Sequence, residues 1–257
     1  MTVAPTTGIR AADEAVIVRE MARAVAFRLG HRAIFAPMLT PQGIGNGTHI
    51  HFSLVDASSA PATHDPARPY GLSRAGESFA AGVLHHLPAL AAITAPSVAS
   101  YFRLTPNRWA PTWTNLGERD RGASLRVCPV FAPENAEDAA AQFNLEYRVC
   151  DAAASPYMAL GALVFAGIDG IRRGFELPPR PDKNFWEMSE PEREAAGARM
   201  LPRSLGEALD LLGATPQAKE WFGERFLDVY LMFKRSEIAA LAGLDDAAIC
   251  ARYAEVY

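Results

Sequence analysis

Apolar and polar positions alternate strictly over residues 48–54. Thr48, Ile50, Phe52 and Leu54 fall on one side of an extended chain, and His49, His51 and Ser53 on the other. Residues 143–149 repeat the pattern, with Phe143, Leu145, Tyr147 and Val149 on one face and Asn144, Glu146 and Arg148 on the other. The spacing predicts strands running to about Asp56, at 143–149 and at 123–130, and a short one at 32–37. Elsewhere the period is helical. Ala12 to Leu29 reads as an amphipathic helix, with Val16, Met21, Val25 and Leu29 as its core stripe and Arg19, Glu20, Arg23 and Arg28 towards solvent. Ser73 is expected to cap a helix that Pro88 breaks and that resumes over 89–93. Pro156 opens an apolar, buried helix closed by Gly174. Helices are further expected at 204–212, over one long stretch at 216–242, and at 245–257. The sum is an α+β chain.

Composition narrows the class. The 257 residues are 49% hydrophobic with a net charge of -4, enough for one large domain or two small ones. Lys and Arg are scattered and form no basic stripe, so no nucleic-acid partner is expected. Cys128, Cys150 and Cys250 are odd in number and far apart, with neither a disulfide framework nor a zinc spacing. A cytoplasmic setting follows. No apolar run reaches the ~18 residues of a membrane span, and the first residues carry no signal-peptide pattern.

Three stretches carry candidate chemistry. Gly45 and Gly47 precede the histidine strand and suit a tight turn and a close backbone approach to a ligand. The two imidazoles point the same way, as a metal or phosphate site needs, although H-x-H also occurs as ordinary surface polarity. Residues 100–127 place Arg103, Arg108, Arg119, Arg121 and Arg126 with Trp109 and Trp113 among prolines and glycines. This is either a solvated loop or an anion site built from guanidinium forks. Glu146 and Arg148 project side by side, as a surface ion pair or with Glu146 as a hard-metal ligand. His85 and His86 sit near a helix end, where a structural role is expected.

Taken together, these stretches resemble the C-terminal catalytic part of the glutamine synthetase family. Gly45 to Leu54 is similar to N-G-S-G-M-H-x-H-x-S-L. Tyr101-Phe102-Arg103-Leu104 onward through Arg121 and Arg126 is similar to Y-K-R-L-x-P-G-Y-E-A-P and R-N-R-S-A-x-I-R. Leu145 to Arg148 with Asp151 to Tyr157 is similar to I-E-x-R-x-P-D-P-x-A-N-P-Y. The resemblance implies a curved, mainly antiparallel sheet, an incomplete barrel with helices on its outer face. It also implies ATP-dependent ligation of ammonia or a larger amine to the γ-carboxylate of glutamate through γ-glutamyl phosphate, with Mg2+ or Mn2+.

Carried over by position, His49 and Glu146 ligate the metal. His51, Ser53, Arg121 and Arg126 meet ATP, and Arg121 and Arg103 act in catalysis. Gly45, Arg103 and Arg148 bind glutamate, and Trp109 lines the amine pocket. Trp109 stands where the family has a glutamate that helps deprotonate ammonium, which implies a bulkier amine, as in the γ-glutamylpolyamine or γ-glutamylamide branch. Ile44 replaces a family asparagine at the glutamate site.

The resemblance further implies that residues 1–257 are the C-terminal portion of a catalytic domain, without the small N-terminal β-domain or the glutamates that complete the metal sites. The expectation is therefore a chain that is weak or inactive alone, whose full-length form is a homo-oligomer and whose open sheet edge favours association. The alternative is a non-catalytic remnant, a nucleotide-binding or regulatory partner of a full-length ligase.

Overall fold

The computed structural model describes residues 1–106 and 108–257. Its hydrophobic centre is a pair of long helices, α2 (Arg74–Thr94) and α5 (Pro156–Arg173). Ser73 caps α2 by accepting from the Gly76 amide at 3.0 Å. Pro88 lies inside α2 and does not break it. An interior proline costs about 3 kcal/mol, but nearly every side chain from Gly76 to Thr94 is buried, and that packing outweighs the lost hydrogen bond.

The two helices meet backbone to backbone. A Cβ on Gly82 would fall 2.3 Å from the Ala166 carbonyl oxygen, and one on Gly170 would fall 2.1 Å from that of Ser78. Only hydrogen fits at the crossing. Helix α5 is buried on one side only, since Val164, Phe165 and Ile171 are about 40% exposed on the other.

Against this pair lies an open sheet of four three-residue strands: β1 (Ile50–Phe52), β2 (Leu116–Glu118), β3 (Leu125–Val127) and β4 (Leu145–Tyr147), in the order β1-β4-β3-β2. The β1–β4 and β3–β4 pairs are antiparallel and β2–β3 is parallel. The strands are shorter than their sequence patterns, and β2 was not foreseen. The expected strand at 32–37 is irregular; Phe35 there donates to the Tyr257 carbonyl at 2.7 Å. Leu125, Val127, Leu145 and Tyr147 face the helices, and the Tyr147 hydroxyl lies 2.8 Å from Thr94 Oγ1.

Helix α1 (Arg10–Arg28) forms where expected but is turned over. Met21, Val25 and Leu29 are exposed, as is Ile17 on the same stripe. Arg19 instead faces the protein, donating to the carbonyls of Ala152 and Ala154, while Arg19 and Arg23 both lie over the Phe35 ring.

Short helices α3 (Ser100–Arg103), α4 (Ala136–Gln142) and α6 (Glu190–Ala195) occupy stretches without a strong period. The C-terminal layer is α7 (Leu205–Ala214), α8 (Pro216–Phe222), α9 (Glu224–Ala240) and α10 (Asp246–Val256). The expected single helix at 216–242 is divided at Gly223, whose φ of 78° lies outside the helical region.

Candidate active site

The strand register builds one polar face. His51 pairs with Glu146 across β1–β4, and Arg126 pairs with Glu146 across β3–β4. Side chains opposite one another on neighbouring strands point the same way. A buried carboxylate, 2% exposed, is thus flanked by an imidazole and a guanidinium.

Two further groups reach it from the strand flanks. His49 Nδ1 lies 2.9 Å from Glu146 Oε1, Arg148 Nη1 2.8 Å from the same oxygen, and His51 Nε2 3.5 Å away. Arg126 Nε is 2.5 Å from Oε2, yet the angles do not make a hydrogen bond, so the contact is electrostatic. Among the described residues, Oε2 has no hydrogen-bond partner.

Burial alone would raise the Glu146 carboxyl. Hydrogen bonds from His49 and His51, with the Arg148 guanidinium, more than offset this and hold it well below the usual carboxylate range. His51 is pushed up to about 10, first by its contact with the Cys128 sulfur and then by Glu146. A deeply buried carboxylate with the His49 imidazole beside Oε1 is a suitable seat for a divalent cation.

The arginines behind this face are committed to the backbone. Arg103 is 4% exposed and donates to the carbonyls of Val149 and Cys150. It explains the glycines ahead of β1. A Cβ on Gly45 would lie 2.4 Å from Arg103 Cγ, and one on Gly47 would lie 3.1 Å from Arg103 Nη1. Neither glycine has a positive φ, so the close approach is to a side chain of the protein itself rather than to a tight turn.

Arg148 is buried and donates through Nε to the Arg121 carbonyl at 3.1 Å, and through Nη2 to that of Trp109 at 3.5 Å. The Glu146–Arg148 pair is therefore internal. Arg121 and Ser53 are exposed. Trp109 is 79% exposed and held at φ +54°, a strained value for a bulky residue.

His86 is structural: it is buried, 2.8 Å from Asp169 Oδ2 and edge-on to Trp221. A cavity of about 230 Å3 lies between Tyr70, Leu84, His85, Leu116 and Arg199, and no residue of the Glu146 face lines it. The buried Glu146 carboxylate with its charged partners makes the polar face, not this cavity, the candidate site.

Two neighbours were not foreseen. Cys128 Sγ lies 3.6 Å from His51 Nδ1, and Asn144 Oδ1 lies 2.9 Å from the same nitrogen. The period of two that places Glu146 also places Asn144 on this face, and it sets Cys128 beside Arg126. Asp151, fully buried, was also missed. Burial raises its carboxyl, partly offset by Arg103.

Comparison with known proteins bears on the family. The family described as glutamine synthetase, catalytic domain, matches residues 1–251. The chain is 38% identical over 245 residues to the gamma-glutamylpolyamine synthetase GlnA3 of Streptomyces coelicolor, covering 95% of this chain and 52% of that protein. It is 35% identical over 226 residues to a glutamine synthetase of Mycolicibacterium smegmatis, covering 88% and 49% respectively. Among solved structures, a novel glutamine synthase homolog superposes with a TM-score of 0.86 at 42% identity, over 98% of this chain and 55% of that one. Apo GmaS does so with a TM-score of 0.74 at 29% identity, over 90% and 50%. The chain spans about half the length of the curated relatives it matches. No helix among the described residues is long and apolar enough to cross a membrane. The polar face on an open α+β sheet and the match over residues 1–251 agree: this chain belongs to the glutamine synthetase family, within its catalytic domain.

Proposed function

We propose that the Glu146 face is the nucleotide- and glutamate-binding wall of an ATP-dependent glutamate–amine ligase. The observation that carries this reading is the convergence of His49, His51, Arg126 and Arg148 on one buried carboxylate. Glu146 and His49 would hold a Mg2+ or Mn2+ ion. When bound, such an ion supplies charge neutralisation to the phosphates of ATP.

The remaining work falls to the protein's own groups. His51 and Ser53 bind ATP. Arg121, exposed at the mouth, and Arg126 steady the transferring phosphoryl group. Glutamate is oriented so that its γ-carboxylate oxygen attacks the γ-phosphorus of ATP and ADP departs; Arg148 lines this wall, Arg103 braces it from behind through the Val149 and Cys150 carbonyls, and Gly45 contributes backbone contact. The amine then displaces phosphate from γ-glutamyl phosphate.

Trp109 supports an amine bulkier than ammonia. Its indole cannot take a proton, and it offers an apolar wall. We take the working form to be a cytoplasmic homo-oligomer, supported by the free thiols of Cys128, Cys150 and Cys250 and by the uncovered Ile17–Met21–Val25–Leu29 stripe. Calorimetric titration of ATP into the protein tests the wall. Heat of binding that requires Mg2+ supports it, and ATP binding unaffected by Mg2+ overturns it.

A further inference from the structure

The cavity of about 230 Å3 shares no residue with the Glu146 face and enters no step above. Leu84 of α2, Leu116 of β2, Leu177, Phe185 and the Tyr70 ring give it an apolar lining. Pro178, Pro179 and Pro181 also line it, and their fixed φ keeps the hollow formed without a ligand. We propose that this cavity is a second binding site, one for a small monocarboxylate with a single-ring apolar body, anchored by Arg199.

Arg199 is held in place and lacks a counter-charge. Its carbonyl accepts from the Thr114 amide at 2.8 Å, its amide donates to Thr114 Oγ1 at 2.8 Å, and Nη2 donates to the His85 carbonyl at 2.5 Å. Burial lowers the guanidinium, and no carboxylate among the described residues offsets that. A smaller hollow of about 190 Å3 shares His85 and Arg199 with the cavity, so the guanidinium is open to solutes. Asn115, the residue after Thr114, also lines the cavity and is 6% exposed. Its Oδ1 accepts from the Ser124 amide at 3.3 Å, and its Nδ2 has no acceptor among the described residues. A buried donor left over beside a cavity marks a missing partner. His85 is lowered by burial first and then by His86 and Arg199, so its imidazole is neutral near pH 7.

Size and charge fix the class of occupant. The volume lies below the roughly 300–1,000 Å3 of sites for drug-sized ligands, which leaves room for one ring and a short side chain. A planar guanidinium matches a planar carboxylate two donors to two acceptors. A plain hydrocarbon would leave Arg199 and Asn115 without partners. An amine finds no open acceptor, because the lining carboxylate, Glu176, is already paired with Arg74 Nη1 at 2.8 Å. The site needs neither nucleotide nor metal and stands whether or not the ligase reading does.

Phenylacetate is the probe, followed by ligand-observed NMR. Its ring should receive saturation from the protein, with a Kd of about 1 mM or tighter for its roughly ten heavy atoms. Phenylacetamide, with the ring but no charge, and 2-phenylethylamine should bind about tenfold more weakly or worse. Excess MgATP should not displace the probe. Arg199→Gln should weaken binding about tenfold, with its fold checked by circular dichroism. A wild-type measurement guards against a misfolded variant: phenylacetate at about ten times its Kd should slow modification of Arg199 by phenylglyoxal about tenfold, read by peptide mass against the exposed Arg28. No saturation transfer, displacement by MgATP, equal binding of the amine, unchanged affinity in Arg199→Gln, or Arg199 modified at the same rate with and without phenylacetate overturns the proposal.

Discussion

Replacing Glu146 by Gln tests how the polar face is held together. The change keeps shape and one acceptor oxygen and removes the charge. Arg148 and Arg126, with side chains 6% and 15% exposed, then face a neutral amide. Arg148 can still donate to the amide oxygen, but the amide NH2 meets Arg126 donor to donor. Breaking a buried pair by neutralising one partner costs about 3–5 kcal/mol, and the retained hydrogen bond argues for the lower end. At about 2–4 °C per kcal/mol for a chain of this size, a loss of about 3 kcal/mol lowers Tm by roughly 6–12 °C.

The loss should depend on pH in a defined sense. Glu146 has a depressed pKa, so its contribution is present above its ordinary value of 4.5 and is lost as pH falls below it. His51 is raised to about 10, so its contribution is complete below 6.5 and fades as pH rises towards 10. Glu146 is one source of that shift after Cys128, and the half-exposed imidazole is partly screened by solvent. The difference in Tm between wild type and Glu146→Gln should therefore be largest between about pH 5 and 6.5, fall steeply below 4.5 and narrow gently above 7. Thermal melts followed by circular dichroism across this range measure it. A variant melting within a degree of wild type, or a difference that ignores pH, would refute the buried-charge account.

Two further outcomes follow from other parts of the fold. Gly170→Ala places a methyl 2.1 Å from the Ser78 carbonyl oxygen and 2.6 Å from Gly82 Cα. Neither can move without parting α2 from α5, so the cost should be about 3 kcal/mol or more, read as a shifted denaturation midpoint; an unchanged midpoint would mean that the helices are not in contact there. On the proposed reading, the protein supplied with MgATP and glutamate should form γ-glutamylamides of bulky amines in preference to glutamine, measured by mass spectrometry over an amine panel. Preference for ammonium would remove Trp109 from the amine pocket.

The face of each central strand was legible because a period of two leaves no choice once one side must be buried. That period sets His49 with His51 and Glu146 with Arg148 on common faces; that the two pairs meet depends on β1 pairing with β4. The orientation of α1 was not legible. Its apolar stripe is a good core stripe by spacing, but Arg19 finds two backbone carbonyls and an aromatic face, and the stripe is left outside. Helix α2 passes through Pro88 because burial on all sides outweighs one missing hydrogen bond, which a local rule cannot weigh. Cys128 was considered only for disulfides and zinc spacing along the sequence. Its position beside His51 depends on β1 and β3 both flanking β4, a pairing of segments far apart in the chain. The reason for Gly45 lay equally far away, in Arg103.

The central claim is that Glu146 anchors a cation-dependent nucleotide site. The direct measurement is the ATP affinity of wild type and Glu146→Gln, each by calorimetry with and without Mg2+. The account predicts that Mg2+ tightens ATP binding tenfold or more in wild type and has little effect in the variant. Equal tightening in both proteins would show that the ion does not sit on Glu146, and the site would have to be placed elsewhere.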